Sequence, residues 1–122
     1  MELVNLLQDL PTDQPRLRVY KSYVVLNSIT ANLLGLQEGD YVKFTRPRIT
    51  GSRPTVYVGK AANINGAFVT HKRHDCVRVN SGKLARLLQE ALGGTGCYRV
   101  CPEDSVTDNG ETFYNVFFRK YD

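Results

Sequence analysis

The chain has 122 residues, 42% of them hydrophobic and 23% charged, with a formal net charge of +4. That length buries one hydrophobic core without disulfides or metal, so a single domain over 1–122 is expected. No apolar run approaches the roughly 20 residues that cross a bilayer, and three cysteines (Cys76, Cys97, Cys101) suit reduced thiols better than a disulfide framework.

Residues 1–10 place Leu3, Leu6, Leu7 and Leu10 at helical spacing before Pro11, which predicts a short amphipathic helix. Glu2 stands where a signal peptide would carry a basic residue, and Asn5, Gln8 and Asp9 interrupt any apolar h-region, so a cytoplasmic protein is expected. The β-formers Leu17, Val19, Tyr23, Val24, Val25 and Leu26 predict one strand over 17–26. Asn27 or Ser28 then caps a helix of about two turns, which Gly35 ends in a left-handed conformation. Gln37-Glu38-Gly39-Asp40 supplies a turn with Gly39 at positive φ, and a strand starts at Tyr41-Val42-Lys43-Phe44.

Residues 47–54 form a polar, basic loop with two prolines and a glycine. Strands are predicted over 55–62 and 67–71 around Asn65-Gly66, whose residue types favour a type I′ hairpin tip. A strand over 76–80 leads to the longest helix, 82–92, with Leu84, Leu87, Leu88, Ala91 and Leu92 on its apolar face and Gly93-Gly94 at its end. The last strands, 96–101 and 112–121, flank Asp108-Asn109-Gly110, a second hairpin signal. The final strand is apolar on both faces, which predicts that it is central or covered on both sides.

Val25-Leu26-Asn27-Ser28 and Arg78-Val79-Asn80-Ser81 open the same succession of strand, Asn-Ser cap, Leu-Leu helix, glycine turn and strand tyrosine (Tyr41, Tyr98). Four more residues lie between Asn80 and Tyr98 than between Asn27 and Tyr41, about one helical turn, which keeps a helix face in register. The expected fold is therefore α+β: a β-rich small domain of two related strand-helix-strand units. Residues 1–15 form a helix and linker, 16–62 the first unit, and 63–122 the second unit with a terminal hairpin.

The stretch Tyr20 to Phe44, and within it Leu34-Gly35-Leu36-Gln37-Glu38-Gly39-Asp40-Tyr41-Val42-Lys43-Phe44, resembles the AbrB-type swapped-hairpin domains. The resemblance implies a swapped-hairpin fold or small barrel in which hairpins interleave, often between two subunits, and which binds DNA. The DNA-contacting arginines of that family are matched loosely by Arg16, Arg18 and Lys21, and Asn27 stands where the family has a proline.

Charge supports the same expectation. Residues 43–99 hold eleven basic side chains against Asp75 and Glu90, a field that attracts phosphate backbones. The expected contacts are Arg46, Arg48 and Arg53 in the loop, Lys60, and Lys72 and Arg73 near the second hairpin. Tyr57 is the aromatic nearest to these cations, which favours duplex DNA over a single strand stacked on aromatic rings. A homodimer is a second expectation, and a protein-interaction module without nucleic acid is the alternative reading.

Catalysis and metal binding find less support. His71, His74 and Cys76 cluster beside Lys72, Arg73 and Asp75, but Ser28 and Ser81 serve as caps and Cys76 opens an apolar strand. Cys97 and Cys101 stand about 13 Å apart on a strand, too far for one tetrahedral ion. No enzyme, metal or cofactor is expected.

Overall fold

The structure, a computed structural model, describes residues 14–46 and 56–120. The expected helix over 1–10 and the whole 47–54 loop, with Arg48 and Arg53, lie outside the described residues. In chain order the elements are β1 (Arg16–Val19), β2 (Val24–Leu26), α1 (Ser28–Leu34), β3 (Tyr41–Thr45), β4 (Val56–Lys60), β5 (Phe68–Val69), β6 (His71–Arg73), β7 (Cys76–Val79), α2 (Gly82–Leu92), β8 (Gly96–Asp108) and β9 (Glu111–Lys120). The nine strands make one antiparallel sheet in the order β5-β3-β4-β9-β8-β1-β2-β7-β6.

That sheet nearly closes into a barrel, because its two end strands, β5 and β6, are separated only by Thr70. Thr70 is fully buried. Its N–H and hydroxyl both donate to the Asp40 carbonyl, at 2.8 and 2.7 Å, and its own carbonyl accepts the Gly39 N–H at 3.2 Å. The 37–40 turn is thus tied to the point where the chain passes from one edge of the sheet to the other. The turn has the expected form: Asp40 N–H donates to the Gln37 carbonyl, Gly39 sits at φ 84°, and Asp40 Oδ2 accepts the Gln37 N–H at 2.7 Å.

Strand alternation sends Leu17, Val19, Val24, Leu26, Val42, Val56, Val58, Val77, Val79, Tyr98, Val100 and Val116 inward, and all are at most 3% exposed. α1 and α2 close the core with Ala31, Leu34, Leu84, Ala85, Leu88 and Leu92. The caps are those the sequence prescribes. Asn27 Oδ1 accepts the Thr30 N–H at 3.0 Å, Ser81 Oγ accepts the Leu84 N–H at 3.1 Å, and Gly35 and Gly93 end the helices in left-handed conformations. Asn27 does more than cap: Oδ1 also accepts the Arg16 N–H at 3.0 Å, and Nδ2 donates to the Gln14 carbonyl at 2.8 Å.

Hairpin, helix, hairpin occurs twice: β1-β2, α1, β3-β4, then β6-β7, α2, β8-β9. The register of the first hairpin recurs. An offset of 53 residues carries the outward-facing pair Arg18↔Val25 onto the outward-facing pair His71↔Arg78. α2, with eleven residues against the seven of α1, is longer by about one helical turn. Around the sheet, hairpins of the two halves alternate, and exchanging the halves leaves the cyclic order unchanged. Val25 and Arg78, themselves 53 apart, face each other at the β2–β7 junction, where a twofold axis would pass.

Three sequence expectations need correction. The strand over 17–26 is a hairpin, because Lys21-Ser22 forms a tight tip closed by Tyr20 N–H donating to the Tyr23 carbonyl. Asn65-Gly66 does not join paired strands: β4 and β5 flank β3 on opposite sides, and only Gly66 takes positive φ, in a turn closed by Ala67 N–H and the Ile64 carbonyl. Leu87 is 50% exposed, since the buried stripe of α2 runs along Leu84, Leu88 and Leu92 and leaves position 87 at its margin. β9 is central, as its two apolar faces predict: it lies between β4 and β8, with Phe117 38% exposed on its outer face. Asp108-Asn109-Gly110 does turn a hairpin, with Asn109 and Gly110 both at positive φ.

Candidate nucleic-acid interface

Among the described residues, the expected cations Arg46, Lys60, Lys72 and Arg73 do not gather on one surface. Arg46 is exposed just past the end of β3, whereas Lys60 pairs with Val42 near its start, about 13 Å away along the strand. Lys60 is engaged by the chain itself: its Nζ lies 3.4 Å from Asp40 Oδ2 and donates to the Gly35 carbonyl at 3.4 Å. Lys72 and Arg73 are exposed on β6, where the Lys72 N–H donates to the Glu38 carboxylate. Lys60 and Lys72 therefore flank a turn that carries two acids, which offsets their field locally.

A different set converges. In antiparallel pairs, directly opposed side chains share a face. Arg16↔Arg99 and Arg18↔Cys97 across β1–β8, Arg18↔Val25 across β1–β2, Val25↔Arg78 across β2–β7 and His71↔Arg78 across β7–β6 therefore lie on one outer face. Arg16, Arg18, Arg78 and Arg99 stand within four adjacent strands of it, spaced about 5 Å across strands and about 7 Å along them.

Aromatic rings hold part of this face in place. Tyr20 and Tyr23 stack with centroids 4.4 Å apart and planes at 17°, and the Arg78 guanidinium lies 3.7 Å from the Tyr23 centroid. Arg78 Nε donates to Asn80 Oδ1, and the Arg18 guanidinium is 6.0 Å from the Tyr20 centroid. Gln89 of α2 fixes the hairpin tip by donating from Nε2 to the Tyr20 and Lys21 carbonyls, at 2.9 and 3.3 Å. On the far side, Arg99 lies 3.8 Å from Glu103 and 5.8 Å from the Phe117 centroid.

Two arginines, Arg16 and Arg99, stand directly opposed across adjacent strands, and Arg99 lies 3.8 Å from Glu103. A face that concentrates cationic side chains is suited to an anionic ligand. Sequence reading matches Arg16 and Arg18 to the DNA-contacting arginines of the resembled family but does not join Arg78 and Arg99 to them, because that joining depends on strand pairings distant in the chain. The signal present was the alternation of Arg16 and Arg18 with Leu17 and Val19, which directs both arginines outward.

His74 forms the β6–β7 tip at φ 55°, and His71 Nδ1 is 3.8 Å from Glu38 Oε1. No three metal-ligating side chains come together among the described residues. The three cysteines are free thiols, with Cys97 and Cys101 buried. Burial, and then the hydrogen bond to Glu103, push the Cys101 thiol pKa up; the same hydrogen bond is the main cause that holds Glu103 below its usual range. No helix among the described residues is long and apolar enough to cross a membrane. Comparison with protein-family models, with curated proteins and with solved structures finds no match to this chain.

Proposed function

We propose that the chain is a non-enzymatic DNA-binding module of AbrB-like, swapped-hairpin type, in which both interleaving units belong to one polypeptide through an internal duplication. The alternation of hairpins around the sheet and the recurrence of the β1–β2 register in β6–β7 support that architecture. One observation carries the functional reading: Arg16, Arg18, Arg78 and Arg99 share an outer face, with Arg78 held by Tyr23 and Asn80 before any ligand arrives. A pre-positioned guanidinium loses less freedom on binding and presents a fork that matches phosphate oxygens. The stacked tyrosines occupy one another and Arg78, so the face offers charge more than an open ring, which favours a duplex backbone over stacked single-stranded bases.

Fluorescence polarisation with a labelled mixed-sequence duplex tests this reading. Four phosphate contacts give a log K against log salt slope near −3.6, so affinity should fall about 100-fold between about 50 and 200 mM salt. Changing Arg18 and Arg78 together to alanine should weaken binding and flatten that slope by about 2. Binding that is lost with Arg46, Arg48 and Arg53 but indifferent to Arg18 and Arg78 moves the interface to the loop. No binding at low salt sinks the proposal.

A further inference from the structure

Elsewhere on the outer surface the β8–β9 hairpin leaves the barrel. After Cys101 the register shifts, and the arm formed by 105–108 and 111–114 turns at Asn109-Gly110. Between this arm and the outer face of β3 and β4 lies a cleft of about 610 Å3, within the range of small-molecule sites. Lys43, Thr45, Tyr57, Gly59, Phe113 and Asn115 share that outer face by register. Gly59 makes the floor possible: a Cβ there would meet the Thr112 carbonyl oxygen at 2.3 Å and the Phe113 ring at 2.8 Å, so only glycine lets Phe113 lie flat against the sheet.

The chemistry of the lining is divided. Phe113 and the Tyr57 ring supply an apolar surface, and Val106, 46% exposed, overhangs it from the arm. Glu111 is withdrawn from any ligand, because Oε1 accepts from Lys43 Nζ at 3.3 Å and Oε2 accepts the Ala62 N–H at 2.7 Å. That engagement neutralises Lys43 as well. Arg46, exposed where β3 ends, lines the cleft with no ion pair among the described residues. Asp108, the remaining acid of the lining, sits at the exposed arm tip, where water screens it.

We propose that this cleft binds a small organic anion carrying a flat apolar ring, with the ring seated against Phe113 and Tyr57 and the carboxylate or phosphate held by the Arg46 guanidinium. Such a ligand packs on the half-buried Tyr57 ring and the edge of the buried Phe113 side chain, covers the exposed Val106, and pairs with Arg46. The site is independent of the arginine face, which belongs to β8, β1, β2 and β7, whereas the cleft belongs to β3, β4 and the arm.

Nuclear magnetic resonance titration of the full 15N-labelled chain with indole-3-propionate, and with tryptamine as the cation of matching ring, tests the proposal. Indole-3-propionate should shift the amide signals of Lys43, Thr45, Tyr57, Val106 and Phe113 saturably at millimolar concentration, with tryptamine at least about tenfold weaker. Arg46→Gln should weaken indole-3-propionate about tenfold or more. Val106→Trp, which fills the cleft from an exposed position, should abolish the shifts while leaving the rest of the spectrum folded. Absence of saturable shifts, shifts centred elsewhere, equal binding of tryptamine, or indifference to Arg46→Gln each overturns it.

Discussion

Single residues that join distant segments hold this barrel together, and they differ in how far the sequence announces them. Glu111 is a last-strand glutamate only 8% exposed, joined to Lys43 and to the Ala62 N–H. The Ala62 hydrogen bond first, and Lys43 after it, hold its carboxyl below the usual range. A folded pKa below the unfolded value means stability that is present above about pH 4.3 and lost as pH falls through the lower folded value. Glu111→Gln should therefore lower the thermal midpoint at pH 7, and the gap to the parent should close as pH falls below 4. A gap that stays constant from pH 7 to 3 would show that the carboxylate charge contributes nothing. Sequence reading could name Asn27 as a cap because capping is local. It could not name its bonds to Arg16 and Gln14, nor Glu111 as the partner of Lys43, 68 residues away.

At the scale of elements, legibility follows the range of the signal. α2 was readable to the residue, between Ser81 and Gly93, because a 3.6-residue period and two caps are all local. The β1–β2 hairpin was hidden because Lys21-Ser22 has none of the glycine, asparagine or proline chemistry that marks tight turns, and Gln89 of α2 holds the tip instead. Asn65-Gly66 misled in the opposite way: turn residues report that the chain reverses, not which strands then pair. Gly59 carried no sequence signal beyond a glycine in a strand, a sign of close backbone approach. Gly59→Ala should cost about 1–3 kcal/mol, because the new methyl meets backbone at Thr112 rather than a movable side-chain end. Thermal denaturation followed by circular dichroism reads this directly, and an unchanged midpoint would mean that the arm lifts freely off β4. The same change should disturb the Phe113 floor of the cleft.

For the whole molecule, the decisive fact is that the first-half hairpins never pair with each other. β1-β2 lies between β8 and β7, and β3-β4 between β9 and β5. This is also why the arginine face was illegible: Arg16 and Arg99 are 83 residues apart and meet only through the β1–β8 register. Charge summed along the chain therefore pointed to 43–99 and divided a surface that the fold unites. A fragment of residues 14–66 should accordingly have no folded monomer. Its two hairpins, joined by α1, would expose Leu17, Val19, Val24, Leu26, Val42, Val56 and Val58, and isolated hairpins are marginal in water. If the halves are equivalent, as the matching β1–β2 and β6–β7 registers indicate, a second copy supplies what the missing half did, and folding becomes bimolecular. Sedimentation equilibrium combined with circular dichroism should find strand signal only in a dimer, with a midpoint that rises with concentration. The intact chain should instead melt in one concentration-independent transition. A fragment that folds as a monomer would refute the interleaved arrangement. A fragment that stays unfolded at every concentration would leave interleaving intact but deny that the halves can replace each other, and with it the physical content of the repeat.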